Sequence, residues 1–172
     1  HPTSAFAHKY VDTGVLEDAI YRFGDSVAQS GVVSFGKNQP NPVAGHLLVA
    51  ATPRLVSGKF ATDAGETAVE FAVRVVGDLD ATVLAIQGPP GSGKTFSGAE
   101  MICALVERGK KVGVAATGHK VIQNLLDAVR KAAKEKGVGV RLAHKSDDAE
   151  AAGDAMPIDA LGSNKDALAA LQ

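Results

Sequence analysis

A single cysteine, Cys103, occurs among 172 residues. On that count no disulfide framework, zinc site or iron–sulfur cluster is expected within the chain. Its apolar setting in a helical pattern reads as a small buried hydrophobe. No apolar run approaches the roughly 20 residues that span a bilayer, and no secretory leader is visible. These absences fit a reducing, cytoplasmic setting with no membrane partner. Excess charge is also missing: 18 Lys and Arg stand against 19 Asp and Glu, for a formal net charge of −1. No global basic field advertises nucleic acid, so any such contact must be local. No internal repeat occurs. What is left, 45% hydrophobic and 22% charged, suits a globular chain with one buried core. The chain opens at His1 rather than Met and closes at Gln172 without a terminal signal, so a fragment of a longer protein is expected.

Against this background, residues 86–95 (IQGPPGSGKT) stand out. Gly88, four residues, then Gly93-Lys94-Thr95 make the phosphate-binding P-loop pattern. Small residues let the backbone curl so that successive N–H groups face phosphate oxygens, and the helix that follows adds the positive end of its dipole. With Gly at about 7% of residues, chance produces the pattern in about one chain in a hundred of this length. The context also agrees. An apolar β-type run, residues 81–86, precedes the loop and a helical pattern follows it. Gly88, Pro89, Pro90, Gly91, Ser92, Gly93, Lys94 and Thr95 are therefore the candidate nucleotide-binding residues. Lys94 and Thr95 are the candidate catalytic pair. Lys94 supplies a point charge to the β/γ-phosphates, and the Thr95 hydroxyl helps hold Mg²⁺.

Along the chain, Leu16, Ala19, Ile20, Phe23 and Val27 recur at helical spacing over residues 15–28, an amphipathic helix whose stripe reads as a packing face. Residues 31–45 are dense in Gly, Pro and Asn and read as loop, with one short strand at 32–35. A second helix is expected from Asp63, with Glu66 as its capping-box partner, ending at Gly77-Asp78. Helices are expected at 94–108, stopped by Gly109, and at 119–136, stopped by Gly137. Strands are expected at 81–86, 111–116 and 138–143. Arg130, Lys131, Lys134 and Lys136 read as a solvated helix face. From His144 the chain turns acidic and Ala-rich, a surface connection with a last helix near 165–171. Strand, helix, strand, helix, strand at this spacing is the form of a parallel α/β sheet.

An acidic second element, a carboxylate at the end of an apolar strand beyond Thr95, is what a P-loop ATPase also needs. None is evident: Asp147 and Asp148 overshoot the expected strand, and Asp159 has too short an apolar lead. A second stretch does carry information. In residues 112–126, VGVAATGHKVIQNLL, Thr117 and Gly118 stand where an apolar strand hands over to a helix, on the sheet edge that holds the P-loop. Thr117, His119 and Lys120 could contact a phosphodiester backbone. From spacing alone, an ordinary helix start with solvent-facing His and Lys serves as well.

IQGPPGSGKT followed by KKVGVAATGHKVIQNLL resembles the first motor domain of superfamily 1 DNA helicases, above all the helicase part of bacterial RecB-like nuclease/helicase fusion proteins. The similarity covers roughly residues 81–129, with a weaker likeness at HLLVAATPRLVSG. It implies a RecA-like P-loop NTPase fold, a parallel sheet flanked by helices, with a helical and irregular segment over residues 1–60 and the motor over 61–172. It implies an ATP hydrolase that works with Mg²⁺ on single-stranded nucleic acid, DNA before RNA, partnered by the remaining helicase and nuclease domains. Thr117, His119, Lys120 and Asn124 become the nucleic-acid contacts; Gly118 stands where this group often has a small hydroxyl residue. The glutamine that reads adenine in many relatives is not found in the helix upstream, which offers Glu66-Thr67. Walker B, the arginine finger and nuclease carboxylates are not recognisable, so truncation before the Walker B strand and an inactive isolated fragment are expected. The other classes weighed are an AAA+ ATPase or nucleotide kinase and a non-catalytic nucleotide-binding module.

Overall fold

A computed structural model describes residues 13–31, 37–38, 41–145 and 158–171. Its elements in chain order are α1 (Gly14–Ser30), α2 (Pro42–Leu48), α3 (Ala68–Val76), α4 (Lys94–Glu107), α5 (His119–Lys136), β1 (Leu142–Lys145), β2 (Ile158–Leu161) and α6 (Asn164–Ala170). The chain divides into two units, His1–Arg54 with Asp80–Val83, and Leu55–Leu79 with Leu84–Gln172. Among the described residues no helix is long and apolar enough to cross a membrane.

In the first unit, α1 forms as its periodicity predicts, but none of its residues is buried. Phe23 and Val27 are half-buried, while Leu16 and Ile20 stand exposed. Residues 42–45, expected as loop, begin α2 instead. Pro42 occupies the first helical turn, where its missing N–H is not needed and its fixed φ suits the helix. The buried His46 accepts the Arg54 guanidinium on one ring nitrogen and meets Thr82 Oγ1 at 2.8 Å on the other. Arg54 also donates to the Asp80 and Ala81 carbonyls.

That clasp bears on the run before the P-loop. Ala81, expected to open a strand, has φ +46°, in the left-handed region and off the extended backbone. Residues 81–86 carry no strand, nor do residues 111–116. An apolar run becomes a strand only by pairing its backbone, and the sheet among the described residues contains only β1 and β2.

The second unit is built around the α4–α5 contact. Ala99 and Cys103 pack with Leu126, Val129, Ala132 and Ala133, and Val138 and Leu142 join the same core. Burial pushes the Cys103 thiol pKa up, and its Sγ lies 3.8 Å from the Val129 carbonyl. The residue is packing, as its apolar context predicted. Both helices end at the expected glycines. Gly109 and Gly137 take φ near +70°, and Lys110 and Val138 donate back five residues to Leu105 and Ala133, the Schellman closure. Because Val138 is consumed by that closure, the strand expected at 138–143 starts later, at Leu142. It pairs in parallel with β2, Leu142 opposite Ile158 and His144 opposite Ala160.

The capping box of α3 falls four residues later than expected. Thr67, not Asp63, takes the Glu70 N–H, and Glu70 returns to the Thr67 N–H at 2.8 Å. Gly65 at φ +78° interrupts the backbone between the two candidate caps. Asp63 and Glu66 instead make a turn that holds Arg74: Glu66 accepts Arg74 Nε at 2.7 Å and Nη2 at 2.8 Å. Of the basic face on α5, Lys131 and Lys134 are exposed, Arg130 donates to Asp127 at 2.8 Å, and Lys136 pairs with Glu100. The strand expected at 32–35 and the acids Asp147, Asp148, Glu150 and Asp154 lie outside the described residues.

Candidate nucleotide and nucleic-acid sites

The loop from Gly88 to Thr95 is shaped by two positive-φ glycines and one close approach. Ser92 N donates to the Pro89 carbonyl at 3.2 Å, closing a turn with Pro90 and Gly91 at its centre. Proline at the first central position and a positive φ at the second, +78° at Gly91, make this a type II turn. Gly93, at φ +82° and ψ 11°, is the left-handed residue from which α4 departs. At Gly88 an added Cβ would sit 2.4 Å from Ser92 Oγ, so the exposed serine hydroxyl would have to turn aside.

Two consequences are chemical. Ser97 N donates to the Gly93 carbonyl at 2.9 Å, so the amides of Lys94, Thr95 and Phe96 precede the first intrahelical donor. These donors, with the helix dipole, make one end of α4 attractive to an anion. The Lys94 ammonium meanwhile bends back over the loop. It donates to the Gly88 carbonyl, to the Pro89 carbonyl at 2.8 Å and to Ser92 Oγ at 3.4 Å. Pro89, Pro90, Gly91, Ser92, Gly93, Lys94 and Thr95 are all exposed, so the cradle is open to solvent.

At the other stretch, Gly118 caps α5 with extended backbone, and no side chain caps the helix. Val121 and Ile122 bond back to the Gly118 carbonyl, which sets the first turn. Thr117, Lys120 and Asn124 are exposed; Lys120 and Asn124 stand four residues apart and share one face of α5. His119 differs from them. Its Nδ1 lies 3.4 Å from Nε2 of His144, which is buried on β1. Spacing had marked His119 for its place at the helix start; His144 carried no signal, because a contact across 25 residues depends on where β1 lies. Among the described residues no group of three or more His, Cys, Asp or Glu could hold a metal ion.

A cavity of about 390 Å³ lies elsewhere in the second unit, lined by Ser57, Lys59, Asp63, Arg74, Gly77, Asp78 and Arg108. Its cations are largely spent on its acids: Lys59 and Arg74 face Asp63. Asp78 takes the Ser57 hydroxyl.

Compared with known proteins, the chain matches no family, no curated sequence and no solved structure.

Proposed function

We propose that the chain is the ATP-binding portion of a superfamily 1 DNA helicase or translocase motor of the RecA-like P-loop class. On this reading the phosphates of ATP lie in the loop from Gly88 to Thr95. The amides of Lys94, Thr95 and Phe96 donate to them, and the Lys94 ammonium leaves the Gly88 and Pro89 carbonyls for the β/γ-phosphates. Thr95 fits a Mg²⁺ site by its chemistry, since its exposed hydroxyl stands at the first turn of α4 beside the amide donors. The ion would take that oxygen together with phosphate oxygens and water, and would supply charge neutralisation at the phosphates. Thr117, His119, Lys120 and Asn124 would meet the sugar–phosphate backbone of single-stranded DNA. The setting is cytoplasmic, and hydrolysis falls to this chain working with further helicase and nuclease domains.

The observation that carries the reading is the Lys94 ammonium held over a loop of positive-φ glycines at the start of α4. A turn with a stray lysine has no reason to combine these. A structural salt bridge would have used the charge on a carboxylate; here it rests on neutral carbonyls, ready for exchange.

The test is equilibrium titration of the chain with a fluorescent ATP analogue and Mg²⁺, before and after Lys94→Ala. Binding that weakens at least tenfold, with helical circular dichroism retained, supports the site. Equal affinity in the two proteins removes it.

A further inference from the structure

We propose that His119 and His144 form a two-histidine clasp for an exchangeable divalent transition-metal ion of the zinc, cobalt or nickel class. The ligand atoms are Nδ1 of His119 and Nε2 of His144. They are 3.4 Å apart, with ring centroids 5.4 Å apart and ring planes at 53°. With metal–nitrogen bonds of about 2.0–2.1 Å, two corners of a tetrahedral site are about 3.4 Å apart, and two imidazole centres about 5.2 Å apart. Both observed separations match those dimensions. Without the ion the same separation is bridged by a hydrogen bond between the two rings, which a metal would replace.

The fold fixes both rings from separate elements. His119 is the first residue of α5, set by its extended cap Gly118. His144 is the third residue of β1, where the parallel ladder to β2 holds its backbone opposite Ala160. Leu142 and His144 share the buried face of β1, and Leu142 is part of the core. His144 is therefore anchored, while His119 is exposed and gives the site an open side. Imidazole is the ligand suited to zinc, cobalt and nickel, and a poor one for Mg²⁺. No third protein ligand joins the pair among the described residues, so water completes the shell. With two protein ligands rather than the four of a structural zinc site, the ion is exchangeable.

This inference does not rest on the nucleotide-binding reading, and its test is separate. The whole chain is titrated with Co²⁺ alone and with Zn²⁺ alone in a non-chelating buffer, following the Co²⁺ visible bands and the heat of Zn²⁺ binding. One equivalent is expected to bind, undisturbed by excess Mg²⁺, and His119→Gln or His144→Gln should each weaken it at least tenfold. His119→Gln is an exposed change at a helix start, so the test stands even where His144→Gln disturbs folding. Absence of one-equivalent binding overturns the clasp. So does binding that survives His119→Gln, which would place the metal on His1, His8 or His46, or that is lost to Mg²⁺.

Discussion

Lys94 donates to the Pro89 carbonyl at 2.8 Å and to the Gly88 carbonyl beside it. The charge is parked on neutral acceptors, and an anionic phosphate oxygen adds a Coulombic attraction that a carbonyl lacks. Exchange toward an entering phosphate is therefore downhill for the ammonium. The geometry suits a compact charge with three donors. A guanidinium is longer and spreads its charge over a planar fork, so it cannot set a compact charge at the same point. Lys94→Arg should consequently fail to restore ATP binding, with a loss of at least tenfold in the nucleotide titration. Full affinity in the arginine variant would mean that charge alone matters and that the parked position is incidental.

Two glycines separate backbone demand from side-chain contact. Gly93 sits at φ +82°, where an L-residue costs about 1–2 kcal/mol. Gly93→Ala should lower stability by that amount in urea unfolding and weaken nucleotide binding with it. Gly77 has an ordinary φ of −75°, yet an added Cβ would lie 1.2 Å from Arg108 Nη1. That atom is the tip of a flexible side chain, which can swing aside. Removing glycine from a helix-compatible backbone stabilises by about 0.4–1 kcal/mol through the unfolded chain. Gly77→Ala should therefore unfold at the same urea concentration as the parent or slightly higher. A loss of several kcal/mol would show that Arg108 is fixed there.

The helices of the second unit could be read because their determinants are local. Residues 119–136 were delimited by Gly118 and Gly137, and the helix after the loop by Gly93 and Gly109; each acts through its own few backbone bonds. The loop residues were legible for the same reason, since a turn with Pro90 and Gly91 is written in two positions. The α3 cap was not: Asp63/Glu66 and Thr67/Glu70 have the same spacing, and only the turn that commits Glu66 to Arg74 decides between them. Strands depend on distant partners. Nothing within residues 81–86 announces that Arg54 holds Ala81, and the pairing of β1 with β2 spans a long connection. His144 was missed on that account.

The Arg74 fork makes a pH prediction. Hydrogen bonds from Arg74, then from the Asp63 amide, hold the Glu66 carboxyl well below its ordinary 4.5, at about 2. Glu70 is lowered in the same sense by the Thr67 amide and hydroxyl. A depressed folded-state pKa means the unfolded chain binds more protons between these values. The contribution is complete above about 4.5 and is lost as pH falls towards 2. Glu66→Gln should flatten, without abolishing, the fall of melting temperature across that window, since Glu70 still contributes. Melting curves recorded from pH 5 to pH 2 decide it; an equally steep fall in the variant would remove Glu66 from the account.

Lys120 and Asn124 share an exposed face of α5 but differ in charge, which gives the nucleic-acid reading a sharper test than affinity alone. Each phosphate neutralised on a single strand releases counterions and adds about 0.7 to the slope of log affinity against log salt. Lys120→Ala should reduce binding to an oligothymidylate and lower that slope by about 0.7. Asn124→Ala removes a neutral hydrogen bond, so it should lower affinity and leave the slope unchanged. The exposed Lys131 lies on the same side of α5, about three turns beyond Lys120, and serves as the control for position along the helix: its removal should move neither quantity. If Lys120→Ala and Lys131→Ala behave alike, the start of α5 is an ordinary helix end. The DNA contact then has to be sought elsewhere, while the phosphate loop stands or falls on its own titration.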